Sequence, residues 1–224
     1  MKPEDDPACF SSPPCMMHEF EAGYSGVDDR TRLDVARWRK ASREHLIGQR
    51  MRLSAERRDM LDRSVMARLR DELGELHGRT VSIFWPFKGE PDPRALVVEI
   101  IAGGGACALP VVVEKAQPLA FHRWAPGEKL ERGVWNIPVP AVADPCIPDI
   151  VIAPVVGFDA LCFRLGYGGG YFDRTLAAMP AKPRVIGIGY EQARLSSIFP
   201  QPHDIPMDTI VTEADTYRRL DAAQ

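Results

Sequence analysis

A chain of 224 residues, 45% hydrophobic and 26% charged, fits one α/β domain with at most a short appendage, and can bury a core without staples. Its 28 basic and 31 acidic residues give a formal charge of −3, which excludes a strong net field toward nucleic acid or an anionic membrane. The five cysteines, Cys9, Cys15, Cys107, Cys146 and Cys162, form no C-x-x-C pair and no Cys/His cluster at zinc spacing, so they read as reduced thiols of a cytoplasmic protein, with a Cys9–Cys15 disulfide as the alternative.

Residues 1–30 carry Pro3, Pro7, Pro13, Pro14 and the acidic run Glu4-Asp5-Asp6 without apolar periodicity. That is the composition of a poorly ordered extension, with Phe10, Met16, Met17, Phe20 and Tyr24 as docking anchors. Nothing there resembles a signal peptide, and the apolar runs at 106–113 and 150–158 fall far short of the ~20 residues of a membrane span. Residues 31–224 read as the folded domain. A helical pattern over 32–52 puts Leu33, Ala36, Leu46 and Ile47 on a buried side, and the ~3.6-residue period brings Arg39, Arg43 and Arg50 close together on one face. A second helix starts after Ser54, a good N-cap followed by Glu56 in the first turn, and carries Met60, Leu61, Val65, Leu69 and Leu73 before fading at 74–78.

Beyond Thr80 the texture changes. Strands are predicted at 81–85 (ended by Pro86), 106–113, 119–124, 149–154, 184–190 and, isolated, 209–212; helices at 95–102 and 171–179; the chain ends in a polar helix-like stretch. Strands alternating with helices predict an α/β fold: a mostly parallel sheet covered by helices on both faces, in a single domain with an N-terminal helical pair. Ligands of such sheets bind at the carboxyl ends of the strands.

The segment 164–173, Arg-Leu-Gly-Tyr-Gly-Gly-Gly-Tyr-Phe-Asp, lies between the clearest strand and a helix. Its glycines permit positive φ and close approach of backbone to ligand, and the helix start adds free N–H groups and a positive dipole end: a phosphate site. Arg164 can add fixed positive charge, and Asp173 suits a magnesium ion carrying phosphates. No Lys-Ser or Lys-Thr completes a P-loop, and Tyr171 stands where a dinucleotide fingerprint requires Gly. A tight structural turn is the competing reading.

The run Phe158-Asp159-Ala160-Leu161-Cys162-Phe163-Arg164 through Arg174 resembles the signature of the 5-formyltetrahydrofolate cyclo-ligase (5,10-methenyltetrahydrofolate synthetase) family. Ser54-Ala55-Glu56, Gly89-Glu90-Pro91-Asp92, Leu109-Pro110, Trp135-Asn136-Ile137-Pro138 and His203-Asp204 follow that family's order and spacing, over roughly residues 37–213. The resemblance implies an ATP- and Mg2+-dependent enzyme that cyclises 5-formyltetrahydrofolate, acting on small molecules as a monomer or weak homodimer with no nucleic-acid or membrane partner. It implies Arg164 and Tyr171 as catalytic. It implies an ATP site of Arg39 or Lys40, Arg43, Arg164, Leu165, Gly166, Tyr167, Gly168, Gly169, Gly170, Tyr171 and Phe172. Trp85, Glu90, Trp135 and 167–171 fall to the folate, and Asp173 and Asp204 to the metal. A glutamate can accept from pterin N–H donors and a tryptophan can stack on the heterocycle, although a loop acid and a core tryptophan are the plainer readings. Gln192 is a minor candidate, and His203 has no assigned role.

Two residues depart from the family's habit. Cys162 stands where Gly is common, and Val139 where Glu or Gln is frequent. They keep open a paralogue that binds folate or nucleotide as a regulator. An unrelated α/β phosphosugar or CoA-ester enzyme would leave Glu90 and Trp135 unexplained.

Overall fold

The computed structural model describes residues 29–219; Cys9, Cys15 and the apolar anchors of the first thirty residues lie outside them. In chain order the elements are helices α1 (Asp29–Met51) and α2 (Ala55–Leu73), strand β1 (Thr80–Ser82), helix α3 (Val97–Ala102), strands β2 (Ala106–Val111), β3 (Ala120–Arg123), β4 (Leu130–Arg132), β5 (Pro138–Pro140), β6 (Pro145–Cys146), β7 (Ile150–Pro154), β8 (Gly157–Phe158) and β9 (Arg164–Leu165), helix α4 (Tyr171–Ala178), and strands β10 (Arg184–Ile188), β11 (Thr209–Val211) and β12 (Thr216–Arg218).

Eight strands form one sheet in the order β12-β11-β10-β7-β1-β2-β3-β6. From β11 to β2 every pairing is parallel; β12, β3 and β6 join antiparallel at the edges. The sheet is therefore mixed, with a parallel centre. The links from β2 to β3 and from β11 to β12 are too short for the crossover that a parallel neighbour requires. The stretch 209–212 is not isolated, since β11 pairs with β10, and the described part of the tail is strand β12 rather than helix, paired to β11 across a tight turn.

The central strand β7 is buried at Ile150, Val151, Ile152 and Ala153, as its unbroken apolar run requires. Its residues alternate between two clusters, as the two-residue period of a strand dictates. Ile150 and Ile152 join Leu61, Val65 and Leu69 of α2 with Val97 and Ile100 of α3. Val151 and Ala153 join Leu176 of α4 with Phe158 and Met207. Ser54 caps α2, its side chain accepting from Arg57 N, and Gly74 ends it at φ 65°.

Helix α1 departs from the pattern read in its sequence. Leu33 is 57% exposed, whereas Val35, Arg39, Ser42, Leu46 and Arg50 are buried. The buried stripe has helical spacing, but two of its members are arginines and one a serine. Apolar periodicity therefore selected the wrong side near the helix start.

The chain leaves β1 toward β2 on one side and later returns to β7 on the other. Order reverses between β1 and β7, and the crevice outside their carboxyl ends is where such sheets hold ligands. Trp85, Phe87 and Glu90 follow β1, Pro154 closes β7, Pro110 lies near the end of β2 and Val112 just after it; all six line one cavity.

Candidate active site

That cavity has a volume of about 670 Å³, within the ~300–1,000 Å³ range of small-molecule sites. Arg39 and Arg43 of α1, the loop from Gly166 to Gly170, the segment around Trp135 and the segment 201–204 complete its wall.

The glycine loop is reached differently from the sequence reading. Strand β7 does not enter it directly; the hairpin of β8 and β9 intervenes, too short to stand out as strands in the sequence. Gly168 and Gly170 have φ of 92° and 63°, values that glycine adopts without a Cβ penalty. Gly170 is the N-cap of α4 and no side chain caps it, so the first N–H groups of that helix have no side-chain acceptor there. Arg43 Nε donates to Gly166 O at 2.8 Å and ties the loop to α1.

Beside the loop, charge is paired with charge. Both terminal nitrogens of Arg39 donate to Asp204, at 2.6 and 3.0 Å, and Gln201 N donates to the same carboxylate at 2.7 Å. Arg164 is 5% exposed. It donates to Asp173 at 3.3 Å, lies 5.1 Å from the centre of the Phe172 ring, and Ile205 N donates to the other Asp173 oxygen at 3.3 Å. The Nε atoms of Arg39 and Arg164 are buried without a partner. Burial lowers the Arg43 and Arg164 pKa values, with the nearby Arg39 charge adding to this in both. Burial would raise the Asp204 carboxyl, but hydrogen bonds from Arg39 and Gln201 N outweigh it and hold its pKa below the usual value. Three guanidinium groups thus stand among two carboxylates, an arrangement suited to a polyanion.

Across the cavity the construction is aromatic and half apolar. Glu90 is 4% exposed; its Oε1 accepts from the Tyr167 hydroxyl at 2.7 Å and its Oε2 from Phe87 N at 2.8 Å. Burial pushes its pKa up against the opposing effects of Tyr167 and Arg50, and burial raises the Tyr167 phenol as well. Trp85 packs edge-on to Trp124 at 6.0 Å, with the Arg94 guanidinium 4.2 Å over its ring. Trp135 is 60% exposed, which removes the core reading. It sits at φ 55° and meets the Tyr171 ring edge-on at 5.7 Å. Val139 is buried and lines the same wall with Val134 and Ile137.

Three of the sequence candidates do not reach this space. Lys40 points away, exposed and 3.9 Å from Glu44; the register of α1 brings Arg39 to the cavity instead. Leu165 is buried in the β8–β9 pair, its side chain directed opposite to that of Arg164. Gln192 is exposed and outside the lining. Phe87, Lys88 and Gln201 line the cavity without having been singled out; their one signal was position, just after β1 and just before Asp204. Cys162 has φ 63°, a region that favours glycine, which accounts for the common Gly of the resembling family at this position.

A glycine-rich loop at a helix start and a carboxylate-and-aromatic pocket thus face one cavity at the switch point of an α/β sheet, the place where enzymes of this architecture hold small molecules. The particular family is the 5-formyltetrahydrofolate cyclo-ligase family, to which the chain belongs: the family's model matches residues 35–213. The 5-formyltetrahydrofolate cyclo-ligase of Mycolicibacterium smegmatis is 31% identical over 146 residues, covering 62% of this chain and 75% of that protein. That of Escherichia coli is 28% identical over 180 residues, covering 77% and 99%. The solution structure of Aquifex aeolicus 5,10-methenyltetrahydrofolate synthetase superposes with a TM-score of 0.71 at 28% identity, over 83% of this chain and 95% of that one.

Proposed function

We propose that this enzyme cyclises 5-formyltetrahydrofolate to 5,10-methenyltetrahydrofolate at the expense of ATP, releasing ADP and phosphate through a phosphorylated formyl intermediate. The observation that carries the reading is the one cavity shared by the arginine-lined glycine loop and the Glu90 pocket.

In the first step the formyl oxygen attacks the γ-phosphorus of ATP and the bond to the β-phosphate oxygen breaks, giving ADP. In the second, N10 attacks the activated formyl carbon, its proton is lost to solvent, and the phosphate departs with the former formyl oxygen. Positioning and charge neutralisation dominate such a transfer. Arg39, Arg43 and Arg164 neutralise the triphosphate, while the N–H groups of 166–172 cradle it with the start of α4. Tyr171, between Trp135 and the loop, aligns the formyl group with the γ-phosphate. Glu90 accepts from the pterin N–H groups, while Trp85 and Trp135 flank the ring.

Magnesium fits here through Asp173. Mg2+ takes one or two carboxylates and fills its remaining positions with phosphate oxygens and water. Both hydrogen bonds to Asp173 are long, at 3.3 Å, so its carboxylate can turn to a cation. Asp204 is committed to Arg39 at 2.6 and 3.0 Å and serves the ion through water, or by orienting Arg39. The ion, when bound, neutralises charge on the transferring phosphates.

We further read residues 31–224 as one domain in which α1 and α2 form a helical pair and both faces of the sheet are covered; the alternation of β7 between two clusters supports this. The enzyme acts in the cytoplasm on small molecules, as a monomer or weak homodimer. Among the described residues no helix is long and apolar enough to cross a membrane.

The test mixes the protein with ATP, magnesium and 5-formyltetrahydrofolate and follows methenyl absorbance together with ADP. Both are expected to rise in equal amounts. Folded protein that binds the folate but releases no ADP would favour a regulator, the reading that Val139 in the cavity wall keeps alive. Protein that neither binds nor turns over would sink both.

A further inference from the structure

One buried cation at the margin of the site remains without a role. Arg50 is 4% exposed and absent from the cavity lining, yet its guanidinium joins three separate segments to α1. Nε donates to Lys88 O at 2.9 Å, one terminal nitrogen donates to Val155 O at 3.2 Å, and the other donates to the Tyr167 hydroxyl at 2.7 Å while lying 3.8 Å from Glu90 Oε1. These partners belong to the loop after β1, which carries both Lys88 and Glu90, to the turn after β7 and to the glycine loop.

The hydroxyl of Tyr167 has one proton. Since it accepts from Arg50, it donates that proton, and Glu90 Oε1 at 2.7 Å is a shorter acceptor than Phe87 O at 3.2 Å. The order Arg50 to Tyr167 to Glu90 is therefore fixed, and it leaves the carboxylate with defined lone pairs for a ligand. The same hydroxyl belongs to the phosphate loop, so this relay spans the two ends of the cavity.

We propose that Arg50 is a positioning residue that sets Glu90 against the glycine loop through the Tyr167 hydroxyl, acting on folate binding rather than on phosphoryl transfer. The inference rests on the proposed assignment of Glu90 to the folate.

The experiment compares wild type, Arg50→Lys, Tyr167→Phe and the double variant. Thermal unfolding is followed alongside steady-state turnover of ATP and 5-formyltetrahydrofolate. Arg50→Lys and Tyr167→Phe should each raise the folate KM about tenfold, the order of one lost hydrogen bond to a charged group, with kcat within about threefold. The double variant should be no worse than the poorer single one, because both act through one relay. A residue that only supported the fold would lower Tm and the active fraction, reducing kcat with KM unchanged. That pattern, or an additive double variant, overturns the inference while the functional reading stands. Should Arg50→Lys fail to fold, Tyr167→Phe decides: an unchanged folate KM overturns the inference. Wild-type protein without turnover or folate binding overturns the functional reading, and the inference with it.

Discussion

At the arginine end of the cavity, charge is held by charge. Arg39 and Asp204 are both nearly buried and joined by two hydrogen bonds, and Arg164 leans on Asp173. At the opposite end a single carboxylate, Glu90, is buried between a phenol, a backbone N–H and an arginine 3.8 Å away. The first region holds the Asp204 carboxyl below its usual pKa through the hydrogen bonds of Arg39 and Gln201 N. The second lets burial raise Glu90 despite its partners. On the proposed function, the arginine end exchanges partners with a polyanion and a cation, and the Glu90 end holds a fixed acceptor.

The sharpest way to break this contrast is to remove one half of the buried pair. Asp204→Ala leaves the Arg39 guanidinium buried and uncompensated, a loss of about 3–5 kcal/mol, measured by denaturant unfolding at neutral pH. The pH dependence carries its own sign. A folded-state pKa below the unfolded value, near 3.8, gives stability that is present above that value and is lost as pH falls through the folded pKa. The variant should lack this part of the acid limb. A stability loss under about 1 kcal/mol would place the pair among weakly coupled surface bridges.

Asp173 tests the same end without that structural cost. Its hydrogen bonds are long, so Asp173→Asn should leave Tm nearly unchanged. ADP release should fall about 10²–10³-fold, the scale of removing one electrostatic element from a reacting site. Unimpaired turnover would remove the aspartate from the phosphate chemistry. Arg164→Ala is the less clean probe, since deleting a fully buried side chain also leaves a cavity.

The two ends were also unequally legible in the sequence. The glycine loop announced itself through local composition, since 164–173 needs little beyond its own residues to suggest a phosphate. The central strands were legible too, because β7 is a continuous apolar run. The Glu90–Tyr167–Arg50 relay joins residues as much as 117 apart in sequence, and no local pattern encodes such a meeting. Helix α1 was misread for a related reason: arginines at 39 and 50 occupy buried positions that periodicity reserves for apolar side chains. The edge strands β6 and β12 are so short that only their partners make them strands.

At the Glu90 end the expected effect is smaller. Glu90→Gln retains shape and removes charge, so the folate KM should rise about tenfold, with ATP turnover at saturating folate little changed. In the wild type, kcat/KM for the folate should fall as pH drops through the Glu90 pKa, which lies above the ordinary glutamate value of 4.5. Protonation there withdraws an acceptor from the pterin. Glu90→Gln should flatten that limb, and a limb unchanged in the variant would assign the titration to another group.

The smallest effect belongs to Lys40, and it sharpens the comparison by marking where the arginine end stops. Sequence register left Arg39 and Lys40 as equal candidates for the nucleotide. Arg39 faces the cavity and is locked to Asp204, whereas Lys40, among the described residues, pairs with Glu44 across one helical turn, at 3.9 Å and in solvent. An exposed pair of this kind is worth at most about 0.5 kcal/mol and is screened by salt. Lys40→Ala should therefore leave Tm nearly unchanged and the ATP KM within about twofold of wild type, while Arg39→Ala raises the ATP KM and lowers Tm by leaving Asp204 unpaired. A large rise in ATP KM in Lys40→Ala, with Arg39→Ala near wild type, would mean that the helix turns to present its other face when the nucleotide binds.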